Sequence, residues 1–278
     1  MTLHQAQGLA RRMTARRGTT RPRILGIVSG KGGVGKSALA INLATSAART
    51  GARTILVDGD LGLANADLLM GLLPRHDLAQ WCRGIVSLEQ VVCRAPSGVE
   101  VIVAGRGGEV ARRIRDAALG RPAEGLEAVV ASRDLTVLDL GAGIGEDVLD
   151  LAGACDPVWL VATPEPTSLA DAYATAKRLW ERRPSLEIEL VVNRASDRAE
   201  GERTYRALAR LVERFLDRPL ALRSILPEDP AMTRAVSTQV PVVLGEPDTA
   251  IARRLRLLAE SMLEERRGGT RGWQTVGD

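Results

Sequence analysis

From residue 24 onward, short β-branched runs alternate with longer segments whose apolar residues recur every three or four positions. The runs Ile24–Val28, Thr54–Val57, Val99–Val103, Leu135–Leu138, Pro157–Val161, Ile188–Val192 and Leu220–Ile225 read as strands. Helical spacing covers Lys36–Arg49, Leu78–Arg83, Leu88–Cys93, Ala123–Ala131, Val148–Ala154, Thr167–Glu181, Glu202–Phe215, Asp229–Ser237 and Thr249–Glu265. No element is assigned to residues 104–122. Strands alternating with helices predict an α/β fold. Its mostly parallel twisted sheet has about seven or eight strands with helices on both faces.

The pattern divides the chain into three parts. Residues 1–22 carry Arg11, Arg12, Arg16, Arg17 and Arg21 and no acid. Leu3, Ala6, Leu9, Ala10 and Met13 recur there at helical spacing, which predicts a basic helix and a linker. Residues 23–267 form the domain. Residues 268–278 contain four glycines and read as a flexible tail.

Composition narrows the classes. A 45% hydrophobic share with 26% charged residues belongs to a chain that buries a core, not to a disordered one. No apolar run reaches the ~18 residues of a membrane span, and Ile24–Ser29 is too short for a signal-peptide core. Cys82, Cys93 and Cys155 lie far apart, which excludes a disulfide framework and close-paired cysteine metal sites. The expected setting is the cytoplasm. Of 38 basic residues only Lys31, Lys36 and Lys177 are lysines. A chain that uses arginine almost everywhere else keeps two lysines within six residues, and the two residue types are not interchangeable at phosphates.

Those two lysines lie in Ser29-Gly30-Lys31-Gly32-Gly33-Val34-Gly35-Lys36-Ser37, between a predicted strand and a predicted helix. The string fits G-x-x-x-x-G-K-[ST]. Glycines turn backbone N–H groups toward phosphate oxygens, and the helix N-terminus at Lys36, Ser37 and Ala38 adds positive partial charge. Lys36 suits the β- and γ-phosphates and Ser37 suits Mg²⁺, so ATP and Mg²⁺ are the expected cofactors. Carboxylates at the C-terminal ends of parallel strands stand beside such a loop. Asp60 and Asp139 occupy those places, suited to orienting water or holding a metal-bound water. Asp58 and Asp67 stand in the same stretch as Asp60 without an assigned role. Asn193 ends a later strand and offers an acceptor and a donor, which suits the adenine edge.

The Gly-Lys-Gly-Gly-Val-Gly-Lys-Ser string resembles the deviant Walker A loop of the MinD/ParA family of P-loop ATPases. The resemblance runs in order through Asp58–Asp67, Asp139–Ile144, Thr163–Ser168, Val191–Arg194 and Leu226–Pro230. It implies a MinD-like fold and an ATP-dependent homodimer. Lys31 would contact the partner's nucleotide, and Lys36 and Asp60 would serve a slow, partner-stimulated hydrolysis. Ser37 would hold Mg²⁺, with Asp60 and Asp139 acting through water. Asn193, Arg194, Pro227 and Glu228 would surround the adenine. Leu140 departs from the family's small hydroxyl residue after the Walker B aspartate. In Thr163–Ser168, Thr167 or Ser168 is expected to cap the next helix.

Asp60–Asp67 with Asp171-Ala172-Tyr173 is most similar to the flagellar FlhG/FleN branch, which implies regulation of flagellar number or placement. His4–Ala10 resembles that branch's leader motif and implies an FlhF-like GTPase as partner. A flagellar C-ring or a transcriptional regulator are the further partners it suggests. Ile251, Leu255, Leu258 and Met262 form one stripe, read as core. Membrane contact is therefore expected to be weak or peripheral, at the inner membrane or a cell pole. Acids interspersed among the arginines leave no basic stripe beyond the leader, so no DNA partner is expected. A ParA-type DNA partition ATPase and an ATP-gated adaptor with negligible hydrolysis are the alternatives.

Overall fold

The computed structural model describes residues 23–61, 64–105, 108–123 and 125–267. The leader helix, the tail, and Gly62 and Leu63 lie outside the described residues.

The strands are β1 (Arg23–Ser29), β2 (Thr54–Gly59), β3 (Cys93–Arg94), β4 (Glu100–Val103), β5 (Leu135–Ala142), β6 (Pro157–Ala162), β7 (Glu187–Ala195) and β8 (Ala221–Pro227). They form one sheet in the order β3-β4-β2-β5-β1-β6-β7-β8. All pairs are parallel except β3 with β4. The first helices are α1 (Lys36–Arg49), α2 (Ala66–Leu69), α3 (Leu78–Cys82), α4 (Leu88–Val91), α5 (Gly108–Ala118) and α6 (Leu126–Ala131). The others are α7 (Glu146–Gly153), α8 (Pro166–Arg182), α9 (Arg198–Leu216), α10 (Pro230–Thr238), α11 (Val242–Gly245) and α12 (Ala250–Arg267).

Side chains alternate across the sheet, so each strand feeds two cores. Ile24 and Val28 of β1 join the core under α3–α9. Leu25 and Ile27 join the one under α1, α2 and α10–α12. The stripe Ile251, Leu255, Leu258 and Met262 of α12 is buried in this second core. The far end of α12 is fastened by Arg223, where the β7–β8 register skips a residue. Its Nη1 donates to Glu265 at 2.8 Å and its Nη2 to Ser261 at 2.6 Å. The guanidinium lies 4.6 Å from the Trp159 ring centroid, and Trp159 Nε1 donates to Glu189 at 2.9 Å.

Three local readings are corrected. Residues 108–118 are helical: Val110, Ile114 and Ala117 turn inward and are buried. The segment Leu88–Cys93 leaves the helix after Val91, because Val92 is extended and Cys93 pairs with Val101. The cap of α8 is Glu165 with Pro166 in the first turn, not Thr167 or Ser168. Ser168 Oγ instead accepts from Thr163 N at 3.0 Å, which folds the turn back on β6.

Candidate functional site

The loop between β1 and α1 is shaped by its glycines. Gly33 and Gly35 have φ of 80° and 92°, a left-handed backbone that other residues rarely adopt. A Cβ on Gly30 would lie 2.3 Å from the Asp171 carbonyl, so only glycine lets the loop pass under α8. Gly32 and Gly33 face open space. No side chain caps α1 at Gly35, so its first-turn N–H groups face the loop's hollow. That end of the helix attracts negative charge.

Lys36 is buried, and its Nζ donates to Asp139 Oδ1 at 2.6 Å. Asp139 is fully buried. Burial pushes its carboxyl above the usual range, while Lys36 and the Ser37 hydroxyl pull it down. Asp139 Oδ2 is buried with no hydrogen-bond partner among the described residues. A buried carboxylate oxygen without a donor is costly. A water on Mg²⁺ would satisfy it, so Ser37 and Asp139 fit the ion expected from sequence.

β2 and β5 run in register, with Asp58 opposite Asp139. Asp58 is also fully buried, and burial with the charge of Asp139 pushes its carboxyl up to about 6. It accepts three backbone N–H bonds, from Asp60 at 3.1 Å, Asn65 at 2.8 Å and Ala66 at 2.9 Å. Asp60 stands beside the end of β5: a Cβ on Gly141 would lie 3.8 Å from its Cγ. The structure therefore brings Lys36, Ser37, Asp60 and Asp139 to one edge of the sheet.

Lys31 lies on the same edge but does not turn inward. Its Nζ donates to Glu165 Oε2 at 2.6 Å and to Thr167 Oγ1 at 3.2 Å. The pair is exposed, and Lys31 holds the Glu165 carboxyl below its ordinary range. Asn193 Nδ2 donates to Val34 O at 2.7 Å, so one donor of this side chain buttresses the loop. A Cβ on Gly35 would lie 2.4 Å from that same nitrogen. Arg194 is exposed with φ of 57°. Glu228 N donates to Ala195 O at 2.9 Å, which ties the Pro227–Glu228 loop to the end of β7.

Two of these arrangements were missed in sequence. Nothing near Lys31 marks Glu165 as its partner, because they meet only when β6 pairs with β1. Asp58 stands in sequence as an acid after the strand with no assigned role, and its complete burial within β2 was not foreseen.

Comparison with known proteins bears on this geometry. The model of the CobQ/CobB/MinD/ParA nucleotide binding domain matches residues 25–242. The chain belongs to this family. Among MinD/ParA relatives, the antiactivator FleN of Pseudomonas aeruginosa is 32% identical over 239 residues, covering 86% of this chain and 85% of that protein. The flagellum site-determining protein YlxH of Helicobacter pylori is 33% identical over 191 residues, covering 69% and 64%. The cell division ATPase MinD of Pyrococcus furiosus superposes with a TM-score of 0.70 at 25% identity, covering 87% of this chain and 98% of that one. No helix among the described residues is long and apolar enough to cross a membrane.

Proposed function

We propose that this MinD/ParA-family chain is an ATP-dependent switch that regulates flagellar number or placement. The observation that carries the nucleotide reading is the glycine loop with Lys36 held on a buried Asp139 beside an uncapped helix start. The flagellar reading rests on similarity to FleN across most of both chains.

Bound in the loop, ATP would have its phosphates against the N–H groups of Gly32–Ser37, and Lys36 would exchange part of its bond to Asp139 for phosphate oxygens. Mg²⁺ would be held by Ser37, with Asp60 and Asp139 reaching it through water. That ion supplies neutralisation of charge developing on the phosphates. Asp60 would orient the attacking water. Asn193, Arg194, Pro227 and Glu228 would bound the base. Lys31 would leave Glu165 and reach the nucleotide of a second copy, so that ATP closes a dimer and hydrolysis reopens it. Residues 1–22 would recruit an FlhF-like GTPase, with a C-ring component or a transcriptional regulator as output.

The test is light scattering and single-turnover hydrolysis with ATP. Wild type is expected to dimerise with ATP and not with ADP. Lys31→Ala should bind ATP yet stay monomeric, and Asp60→Ala should form a dimer that persists. An ATP-dependent dimer unchanged in Lys31→Ala would remove the cross-subunit role.

A further inference from the structure

Asp58 is fully buried, and no cation is among its described bonds. What it meets is backbone. Its Oδ1 accepts from Asp60 N, and its Oδ2 accepts from Asn65 N and Ala66 N. Asn65 is the cap of α2 and Ala66 is its first residue. One side chain thus gathers both ends of the loop that leaves β2. A carboxylate accepting several N–H bonds is a strong, directional anchor.

The register of the sheet gives this anchor a consequence. Asp58 lies opposite Asp139 across β2 and β5, and its own O accepts from Ala104 N at 3.1 Å, so β4 and β5 fix its backbone. The bond from Asp60 N to Oδ1 then sets where the Asp60 carboxylate leaves the strand end, beside Gly141.

We propose that Asp58 is the positioning residue for Asp60: its two oxygens divide the loop, one fixing the Asp60 backbone and the other fixing the start of α2. The proposal rests on the reading of Asp60 as the group that orients water.

The two oxygens make the test selective. Asp58→Asn keeps one acceptor oxygen. Placed at the Oδ2 position it retains the bonds from Asn65 and Ala66, and its NH₂ then faces the Asp60 N–H. The variant therefore holds α2 and releases Asp60. Per-residue amide exchange by NMR is expected to accelerate at Asp60 by about tenfold, the worth of one hydrogen bond, and to stay slow at Ala66. Single-turnover ATP hydrolysis is expected to fall between about ten- and a hundredfold, because a misplaced group loses rate steeply with distance. The affinity for a fluorescent ATP analogue should stay at its wild-type value, and the melting temperature should fall by no more than the loss of one buried hydrogen bond explains. A purely structural role would lower the melting temperature and leave the rate per folded molecule intact.

Hydrolysis at the wild-type rate with the Asp60 amide released overturns the proposal. So does loss of nucleotide affinity in a variant that melts normally. If Asp58→Asn does not fold, exchange in the wild type decides: unprotected Asp60, Asn65 and Ala66 amides overturn the anchor, and protection of all three supports it. Absence of ATP binding by the wild type would instead remove the nucleotide reading, and the exchange arm still judges the anchor.

Discussion

Replacing Lys36 with alanine tests whether the buried ion pair exists before any nucleotide arrives. The pair spans 2.6 Å, with Lys36 8% and Asp139 0% exposed. At an effective dielectric of about 20, such a separation gives an attraction of about 6 kcal/mol, most of it offset by the cost of desolvating both groups. Removing one partner forfeits the attraction and leaves the other charge buried. Lys36→Ala should therefore lose about 3–5 kcal/mol of stability in urea unfolding without nucleotide at neutral pH. Replacing both, Lys36→Met with Asp139→Leu, should recover most of that loss. The loss should also depend on pH. Burial and the charge of Asp60 hold Asp139 above its unfolded value, and Lys36 is the largest opposing influence. Without Lys36 the folded protein takes up a proton that the unfolded chain does not. A raised carboxyl contributes stability at low pH that is lost as pH rises through its folded value. The deficit of Lys36→Ala should thus shrink as pH is lowered from neutrality. A loss below about 1 kcal/mol at neutral pH, the size of an exposed pair, would refute the reasoning.

Two further outcomes follow from packing and charge. Gly30→Ala should cost about 1–3 kcal/mol, because its Cβ meets the Asp171 carbonyl, whereas Gly32→Ala meets open space and should leave the melting temperature unchanged while weakening ATP binding. Equal effects of the two on stability would show the loop is not packed as described. Burial raises the Glu189 carboxyl, against the pull of Arg223 and the Trp159 N–H, while Glu187 and Glu265 push it further up. Its ionised form therefore costs stability, and the cost appears as pH rises through the folded value. Glu189→Gln should gain on wild type as pH rises above the ordinary carboxylate range in urea titrations, and an equal pH slope in both would exclude Glu189 as the source.

The sheet was legible because its strands are buried on both faces and read as continuous β-branched runs. Lys36, Ser37 and Asp139 were legible for a related reason: a phosphate loop needs glycines and lysine at fixed spacing, and an acid must end a neighbouring strand. α5 was obscured by arginines. Val110, Ile114 and Ala117 keep the helical interval, but Arg112, Arg113 and Arg115 interrupt the apolar pattern. The helices α2 and α11, four residues each like α4, showed no helical period in sequence. The two-residue β3 exists only because β4 offers it a partner. Site residues were hidden when their partners are distant in sequence. Glu165 and Lys31 are 134 residues apart, and Asn193 and Val34 are 159 apart. Side-chain chemistry alone aimed Asn193 at a base; the fold also engages one of its donors with the loop.

The two edges of the sheet separate two tasks. Lys31 and Lys36 follow β1, Asp60 follows β2, Glu165 follows β6, and Asn193, Arg194 and Glu228 lie where β7 and β8 end. All stand on the edge where the parallel strands finish. Residues 1–22 and 268–278 adjoin described residues at the other edge. Arg23 opens β1, and the last turn of α12 is held by Arg223 near the start of β8. A partner recruited by residues 1–22 would be tethered on the side of the sheet away from the phosphate loop. For such a partner to respond to nucleotide, the signal has to cross the sheet or the partner has to touch a second surface. The segment from β2 into α2 can offer that surface. Asp58 fastens its start beside Asp139, and it displays Leu68 and Leu73 at 59% and 94% exposure.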